Sequence, residues 1–210
     1  MNNTARALVA GLALSAAGLV YIAADESYTN QAIRPVPGDK PTYGFGSTVK
    51  ADGSPVRMGD TITPPAALVL AARDIAMKEG ALKACMGDVL LTQYEYDAIV
   101  SLAYNVGPSA VCQSSIPAKF RVGDYEAACK TILDFSKFCS KPKIKNAAGK
   151  WVCPPGALKP LKGLENQRQR EYRLCISGIR NQESGINPKT SRSVLIPDTW
   201  HLSSGWARHV

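Results

Sequence analysis

An uncharged apolar run near the N-terminus places the strongest constraint on this chain of 210 residues. Residues 7–24 comprise seven Ala, seven Leu, Val or Ile, two Gly, one Ser and one Tyr. As a helix the run would be about 27 Å long, close to the bilayer hydrocarbon thickness of about 30 Å. Arg6 precedes the run, whereas Asp25 and Glu26 follow it. The positive-inside rule therefore places the N-terminus in the cytoplasm and the remainder outside.

This run allows three interpretations. It is a signal peptide cleaved after Ala24, a permanent anchor, or a marginal anchor that leaves the bilayer and refolds onto a soluble domain. Its many Ala, Gly and Ser residues lower the cost of leaving the membrane, but hydropathy alone does not select one interpretation. The chain accordingly divides into an N-terminal segment at 1–24, a domain at 25–178 and a polar tail at 179–210.

The cysteines and the charge indicate the compartment and the partners. The six Cys lie outside the apolar run and form no CxxC pair, so disulfides are expected rather than zinc, and no metal or cofactor is expected. Cys139–Cys153 is the favoured local pair because it would close a polar insertion. The net charge of +8 suits an anionic partner such as cell-wall polymer or lipid head groups. Export and the lack of a nucleic-acid motif argue against nucleic acid.

The basic surplus is concentrated in the second half of the chain. Most of these side chains are interpreted as a solvent-exposed face. They are Lys137, Lys141, Lys143, Lys145, Lys150, Lys159, Lys162, Arg168, Arg170 and Arg173.

The hydrophobic pattern predicts an α+β fold. Residues 33–62 are rich in Pro, Gly, Thr and β-branched residues, which predicts short strands and tight turns with a hairpin tip at 51–53. Helices are predicted to follow, so the strands are segregated near the start and a cleft lies between a strand lobe and a helical lobe. The predicted helix signals are an N-cap at Thr63, a capping box at Thr92–Glu95 with a stop at Gly107-Pro108, a start at Gly123-Asp124, and a last helix from about Leu164 to Ile176 with Gly178 as its stop.

One group of residues is a candidate for a catalytic site. Glu26 ends the apolar helix, a Pro/Gly turn follows, and Thr42, Gly44 and Gly46 form a Thr-x-Gly-x-Gly strand. This arrangement resembles the active-site segment of the phage-type lysozymes of glycoside hydrolase family 24. Three further stretches resemble helices of that family, and the resemblance spans about residues 20–178. They are LTQYEYDAIVSLAYNVG, GDYEAA and GLENQRQREYRLC.

The resemblance implies a lysozyme-like fold and hydrolysis of the bond between N-acetylmuramic acid and N-acetylglucosamine in peptidoglycan, causing host cell lysis. It makes Glu26 the catalytic acid and Thr42 the residue that positions water. The family's aspartate is missing, because Pro35 stands nine residues after Glu26. We predict that Asp39 takes the role of base; the alternative is that Asp39 only stabilises the turn.

Further residues are weaker candidates. Tyr43 and Phe45 are predicted to line a sugar site, although packing in the core explains aromatic residues equally well. Asn105 is predicted to bind an acetamido group. Asp25 is a rival for Glu26, but about 100° of helix rotation separates the two, so both cannot face one cleft. His201 and His209 lie in the tail, which argues against a catalytic triad or metal site built on histidine.

The apolar run resembles the signal-arrest-release segment of some phage endolysins. In that interpretation residues 7–24 associate transiently with the host inner membrane, hold Glu26 at its surface, and later refold into a monomeric periplasmic enzyme that acts on peptidoglycan. Two other functions stay open. One is a lytic transglycosylase using a single carboxylate, and the other is a wall-binding module without catalysis.

Overall fold

Seven α-helices and four pairs of short strands make up the part of the chain that the computed structural model describes, namely residues 5–35, 40–141, 144–147, 149 and 151–183. The helices are α1 (Ala16–Glu26), α2 (Pro64–Met86), α3 (Gln93–Val106), α4 (Pro108–Cys112), α5 (Ile116–Arg121), α6 (Tyr125–Thr131) and α7 (Lys162–Glu183). The strands are β1 (Ala7–Leu8), β2 (Thr29–Ile33), β3 (Thr42–Gly44), β4 (Leu90–Leu91), β5 (Lys137–Cys139), β6 (Ile144–Lys145), β7 (Trp151–Val152) and β8 (Leu158–Pro160).

Helix α3 is the centre of the large lobe. Its capping box is confirmed, because the Glu95 amide donates to Thr92 Oγ1 at 3.2 Å while the Thr92 amide donates to Glu95 Oε2 at 2.7 Å. Every residue from Glu95 to Tyr104 is buried, as expected for a helix surrounded by other elements. The helix ends at Gly107, with φ of +88°, and Pro108 begins α4, so the predicted stop is also confirmed.

Three disulfides cross-link the described residues, two of them between helices. Cys85–Cys112 joins α2 to α4, and Cys129–Cys175 joins α6 to α7. The predicted pair Cys139–Cys153 is confirmed. It spans the polar insertion, in which β5 pairs with β8 and β6 pairs with β7.

The small lobe is built on the β2–β3 hairpin. Thr29 pairs with Gly44 and Ile33 with Thr42, so the chain that leaves α1 runs directly into the hairpin. A bridge between Val49 and Pro55 closes the predicted tip at 51–53. A small separate core fills the lobe and consists of Ala32, Tyr43, Val56 and Leu70. The α+β class is confirmed, but the predicted segregation of the strands near the start is only partly right, because β4 lies between α2 and α3 and β5 to β8 lie between α6 and α7.

The apolar N-terminal run forms three different structures. Residues 7–8 form β1 and pair with β4, a short 3-10 turn follows, and α1 begins only after Ser15. Val9, Leu12 and Ile22 are buried in the large core, so much of the run is part of the folded domain. No helix within the described part of the chain is long and apolar enough to cross a membrane.

The predicted end of the last helix is wrong, since α7 continues through Gly178 to Glu183. Gly178 is instead a contact point between helices, because a Cβ at this position would lie 2.3 Å from Thr92 Oγ1. The glycine therefore lets α7 approach the start of α3 closely. The tail beyond 183, including His201 and His209, lies outside the described residues.

Candidate active site

Glu26 is the last residue of α1 and stands where the two lobes meet. Ser27 turns the chain sharply, with a φ of +57°, and it is the one non-glycine residue with positive φ among those described. Such a conformation costs about 1–2 kcal/mol for a residue with a Cβ. The strained turn ends α1 at Glu26 and sends the chain into β2.

The two glycines of the Thr-x-Gly-x-Gly segment allow close approaches. A Cβ on Gly46 would lie 3.1 Å from Glu26 Oε2, and one on Gly44 would lie 3.0 Å from the Ala67 Cβ of α2. Both glycines have positive φ, at +84° and +61°. Gly46 thus brings the backbone of the small lobe against the Glu26 carboxyl group.

Asn105, at the end of α3 in the large lobe, hydrogen bonds with the Glu26 side chain. Arg168 Nη2 donates to Asn105 Oδ1 at 3.1 Å. The Asn105 carbonyl is therefore engaged, and its amide hydrogen bonds with the Glu26 carboxylate. These bonds let Asn105 position the Glu26 carboxyl group. Asn105 is exposed, and its contact with an acetamido group stays a prediction.

Lys78 of α2 supplies a positive charge near Glu26. Its Nζ donates to the Tyr104 carbonyl at 2.9 Å and lies 3.6 Å from the centre of the Tyr104 ring. Burial raises the pKa of Glu26, the charge of Lys78 opposes that rise, and the charge of Asp25 adds to it. The net effect is a raised pKa, which keeps Glu26 protonated to higher pH than an exposed glutamate. A protonated carboxyl group in a cleft is suited to act as a general acid.

Asp25 does not compete with Glu26 for this position. Its carboxylate pairs with Arg170 of α7, and its side chain is 7% exposed. Burial raises its pKa, which the charge of Arg170 opposes. The helical offset between the two neighbours therefore directs Asp25 to α7 and Glu26 to Gly46 and Asn105.

A second buried carboxylate lies behind the site. Glu171 accepts a hydrogen bond from Ser101 at 2.8 Å and pairs with Arg168 at 3.2 Å, and both charged side chains are completely buried. Burial raises the pKa of Glu171 to about 7, against the pull of Arg168. Arg168 therefore links this inner carboxylate to Asn105 and hence to Glu26.

The other predicted site residues have mixed outcomes. Thr42 begins β3 and is partly exposed, whereas Tyr43 is 5% exposed and packs in the small core, which favours packing over a sugar contact. Phe45 is partly exposed and its ring lies 5.7 Å from that of Tyr28. Asp39 lies outside the described residues, so its role as a base stays a prediction.

The sequence did not indicate the two positively charged side chains of the site, Lys78 and Arg168. Lys78 has no motif around it, and Arg168 was grouped with a solvent-exposed basic face, which is wrong because its side chain is 0% exposed. The available signal was the spacing of Arg168 and Glu171, which lie three residues apart on one helical face. No group of three or more His, Cys, Asp or Glu that could hold a metal ion occurs within the described residues.

Comparison with known proteins identifies the family. The sequence profile described as Phage lysozyme matches residues 23–171, which include Glu26, Thr42, Asn105 and Arg168. The chain belongs to the phage lysozyme family. The endolysin of Salmonella phage P22 is 36% identical over 104 residues, covering 50% of this chain and 70% of that protein. The endolysin of Acyrthosiphon pisum secondary endosymbiont phage 1 is 35% identical over 133 residues, covering 63% of this chain and 77% of that protein.

A solved structure supports the same assignment. The endolysin from Escherichia coli O157:H7 phage FAHEc1 aligns with a TM-score of 0.61 at 27% identity, covering 79% of this chain and 94% of that chain. The fold of this phage lysozyme is thus lysozyme-like, as expected from its sequence. The family and its endolysin members support a peptidoglycan-degrading role in cell lysis.

Proposed function

We propose that this phage lysozyme is a muramidase of the glycoside hydrolase family 24 type. It hydrolyses the bond between N-acetylmuramic acid and N-acetylglucosamine, and Glu26 protonates the leaving glycosidic oxygen. The observation that carries the proposal is the position of Glu26 at the end of α1, where the Gly46 backbone closely approaches its carboxyl group; burial there also raises the pKa of Glu26. An acid held in its protonated form beside an extended cleft is what this cleavage requires.

The second half of the reaction needs a water molecule on the opposite face of the sugar. Thr42 is proposed to orient this water, and Asp39 to accept its proton, which gives inversion at the anomeric carbon. Asp39→Asn should then lower kcat by at least about 100-fold, which is the usual contribution of a general base. Activity close to that of the unmodified enzyme would restrict Asp39 to a role in the turn.

The test of the acid is Glu26→Gln, which keeps the size and the hydrogen bond to Asn105 but cannot donate a carboxyl proton. We expect kcat to fall by at least about 100-fold. The matched control is Glu126→Gln, the same change at an exposed position in α6, which should leave activity unchanged. Full activity of Glu26→Gln would reject the site.

Analysis of the released fragments identifies the reaction. Hydrolysis creates a reducing end at N-acetylmuramic acid, whereas a lytic transglycosylase, which uses one carboxylate, forms an anhydro product lighter by one water. Mass spectrometry separates these outcomes. Binding to peptidoglycan without any released fragments would instead indicate a wall-binding module.

We further propose that residues 7–24 first hold the enzyme, as an inactive monomer, in the host inner membrane, and that release yields the active periplasmic form. The marginal hydrophobicity of the run supports this order, and so does the burial of Val9, Leu12 and Ile22, because a chain cleaved at Ala24 would lose three core side chains. Membrane fractionation followed by N-terminal sequencing of the periplasmic protein tests it. A periplasmic chain that starts at Asp25 would reject uncleaved release.

A further inference from the structure

A short turn of the small lobe closes one side of the Glu26 carboxyl group. Tyr43 and Ser47 pair across the base of this turn: the Tyr43 amide donates to the Ser47 carbonyl at 3.2 Å, and the Ser47 amide donates to the Tyr43 carbonyl at 3.1 Å. Gly46 lies inside the turn, and a Cβ there would come within 3.1 Å of Glu26 Oε2. The Gly46 backbone therefore occupies space from which water would otherwise solvate this oxygen.

Two helices hold the turn by polar contacts. The Tyr104 hydroxyl of α3 donates to the Phe45 carbonyl at 2.8 Å, and the Ser47 hydroxyl donates to Asp74 Oδ2 of α2 at 2.7 Å. Tyr104 is 6% exposed and Ser47 is 2% exposed, so water competes little for either bond. The two bonds flank Gly46 in the sequence. They fix the backbone on both sides of the residue that meets the carboxyl group.

Tyr104 also precedes the direct partner of Glu26. Asn105 follows it in the last turn of α3 and hydrogen bonds with the Glu26 carboxylate. Consecutive residues of one helix therefore reach Glu26 by two routes. Asn105 contacts the carboxyl group itself, whereas Tyr104 acts through the Phe45 carbonyl and the Gly46 backbone.

We propose that the Tyr104 hydroxyl is a positioning group for the glycosidase reaction: it holds the turn so that the Gly46 backbone stays against the Glu26 carboxyl group and excludes water from it. The inference rests on the proposed function, because the turn has this role only if Glu26 is the proton donor. Exclusion of water favours the neutral form of a carboxyl group. Loss of the hydroxyl should therefore favour ionisation of Glu26, which removes the proton that the leaving oxygen must receive.

The substitution Tyr104→Phe removes the hydroxyl and keeps the charges around Glu26 in place. Burial raises the pKa of Glu26, Lys78 of α2 and Arg168 of α7 lower it, and Asp25 of α1 raises it. Lys78 Nζ donates to the main-chain carbonyl of Tyr104 at 2.9 Å and lies 3.6 Å from the centre of its ring. A phenylalanine retains both contacts, so a change in the pKa of Glu26 reports the loss of the hydroxyl.

Tyr96→Phe is the matched control. Tyr96 lies in the same helix, is 1% exposed and donates its hydroxyl to Glu79 at 2.7 Å. Both variants lose one buried hydroxyl and its hydrogen bond, so their losses of stability should be similar. They differ in what the hydroxyl holds, because Tyr96 bonds to α2 whereas Tyr104 bonds to the turn beside Glu26.

The experiment follows the Glu26 carboxyl group and the turn by NMR in the full chain. In Tyr104→Phe the pKa of Glu26 should fall by at least about 0.5, and the Ser47 amide should exchange with solvent at least about threefold faster. Tyr96→Phe should change neither quantity. An unchanged pKa of Glu26 in Tyr104→Phe, or the same fall in both variants, would overturn the inference.

Activity against peptidoglycan separates this inference from the proposed function. In Tyr104→Phe the alkaline limb of the kcat profile should move to lower pH, so that kcat falls about threefold above the pKa of Glu26 while KM changes little. A pH profile identical to that of the unmodified enzyme would overturn the role of Tyr104. Full activity of Glu26→Gln would reject the proposed function and this role with it, even where the exchange rates show that Tyr104 holds the turn.

Discussion

Different interactions stabilise the interior of the large lobe and the interior of the small lobe. The large lobe surrounds α3, whose side chains are buried from Glu95 to Tyr104, and the Cys85–Cys112 and Cys129–Cys175 disulfides reinforce it. The small lobe buries four hydrophobic side chains in its own core. Glu26, the proposed catalytic acid, ends α1, which packs into the large core through Ile22, whereas β3 belongs to the small lobe.

Polar contacts with α2 and α3 compensate for the small core. Arg73 donates to the carbonyls of Val49, Lys50 and Ala51 at 2.9–3.3 Å. The Tyr104 hydroxyl donates to the Phe45 carbonyl at 2.8 Å, next to Gly46. These bonds cross from helices to loops and, together with the packing of Leu70 of α2 in the small core, hold the small lobe in place.

The largest expected effect comes from removing matched leucines from the two cores. Leu102→Ala in the large core should lower the free energy of unfolding by about 3–5 kcal/mol, and Leu70→Ala in the small core by about 2–3 kcal/mol. Leu102 is 0% exposed and Leu70 4% exposed, so the difference reflects how far each core can collapse. Urea denaturation measures both values. Equal losses would show that the two cores are energetically alike.

The second prediction concerns pH and the buried Glu171. The pKa of Glu171 is about 7 in the folded state, whereas that of a glutamate in the unfolded chain is about 4.3. At pH values between these two, the folded chain therefore binds more protons than the unfolded chain. Stability from this group is complete below about pH 4 and is lost as pH rises through about 7. Glu171→Gln should flatten that fall, which we expect to be about 2 kcal/mol between pH 5 and 8. Denaturant unfolding across that range tests it, and an equally steep fall in the variant would contradict it.

The small lobe should respond to pH in the opposite direction. Hydrogen bonds from Ser54 lower the pKa of Asp52, and the Arg57 amide lowers that of Asp60. The stabilisation from these two carboxylates is present above the pKa of aspartate in the unfolded chain, about 4, and is lost as the pH falls below that pKa. Hydrogen exchange at acidic pH should therefore show the tip at 51–53 opening while α3 stays protected.

A smaller effect is expected from the arginine that joins the lobes. Arg73→Met keeps the length of the side chain but removes its three carbonyl contacts, so the small lobe should loosen by about 1–2 kcal/mol. KM should rise more than kcat falls, because the small lobe forms one side of the proposed substrate cleft. Arg57→Met, at an exposed position in the same lobe, is the control. Identical kinetics for both variants would assign no role to the contacts of Arg73.

Local signals in the sequence predicted local structure well. The capping box at Thr92, the stop at Gly107 and the Cys139–Cys153 pair each depend on residues close in sequence. The failures involve distant partners. Gly178 looked like a helix stop because its contact with Thr92 lies 86 residues away in sequence, and α1 starts at Ser15 partly because Asp97 holds that residue.

The candidate site shows the same division. Glu26 and the two glycines form one continuous motif, so the sequence alone indicated them. Lys78, Arg168 and Glu171 come from α2 and α7, and only packing shows that Arg168 and Glu171 are buried as a pair and that Lys78 acts on Glu26. The spacing of Arg168 and Glu171 indicates an ion pair on one helical face but does not show that the pair is buried.

The most direct test of this account is the titration of the Glu26 carboxyl group in the full chain. Carbon-13 NMR, with Glu26→Gln to assign the signal, follows the ionisation of that group. Burial at the junction of the lobes predicts a pKa above that of an exposed glutamate, so that the acid remains protonated where the enzyme works. A pKa at or below the ordinary value would contradict the assignment of Glu26 as the proton donor.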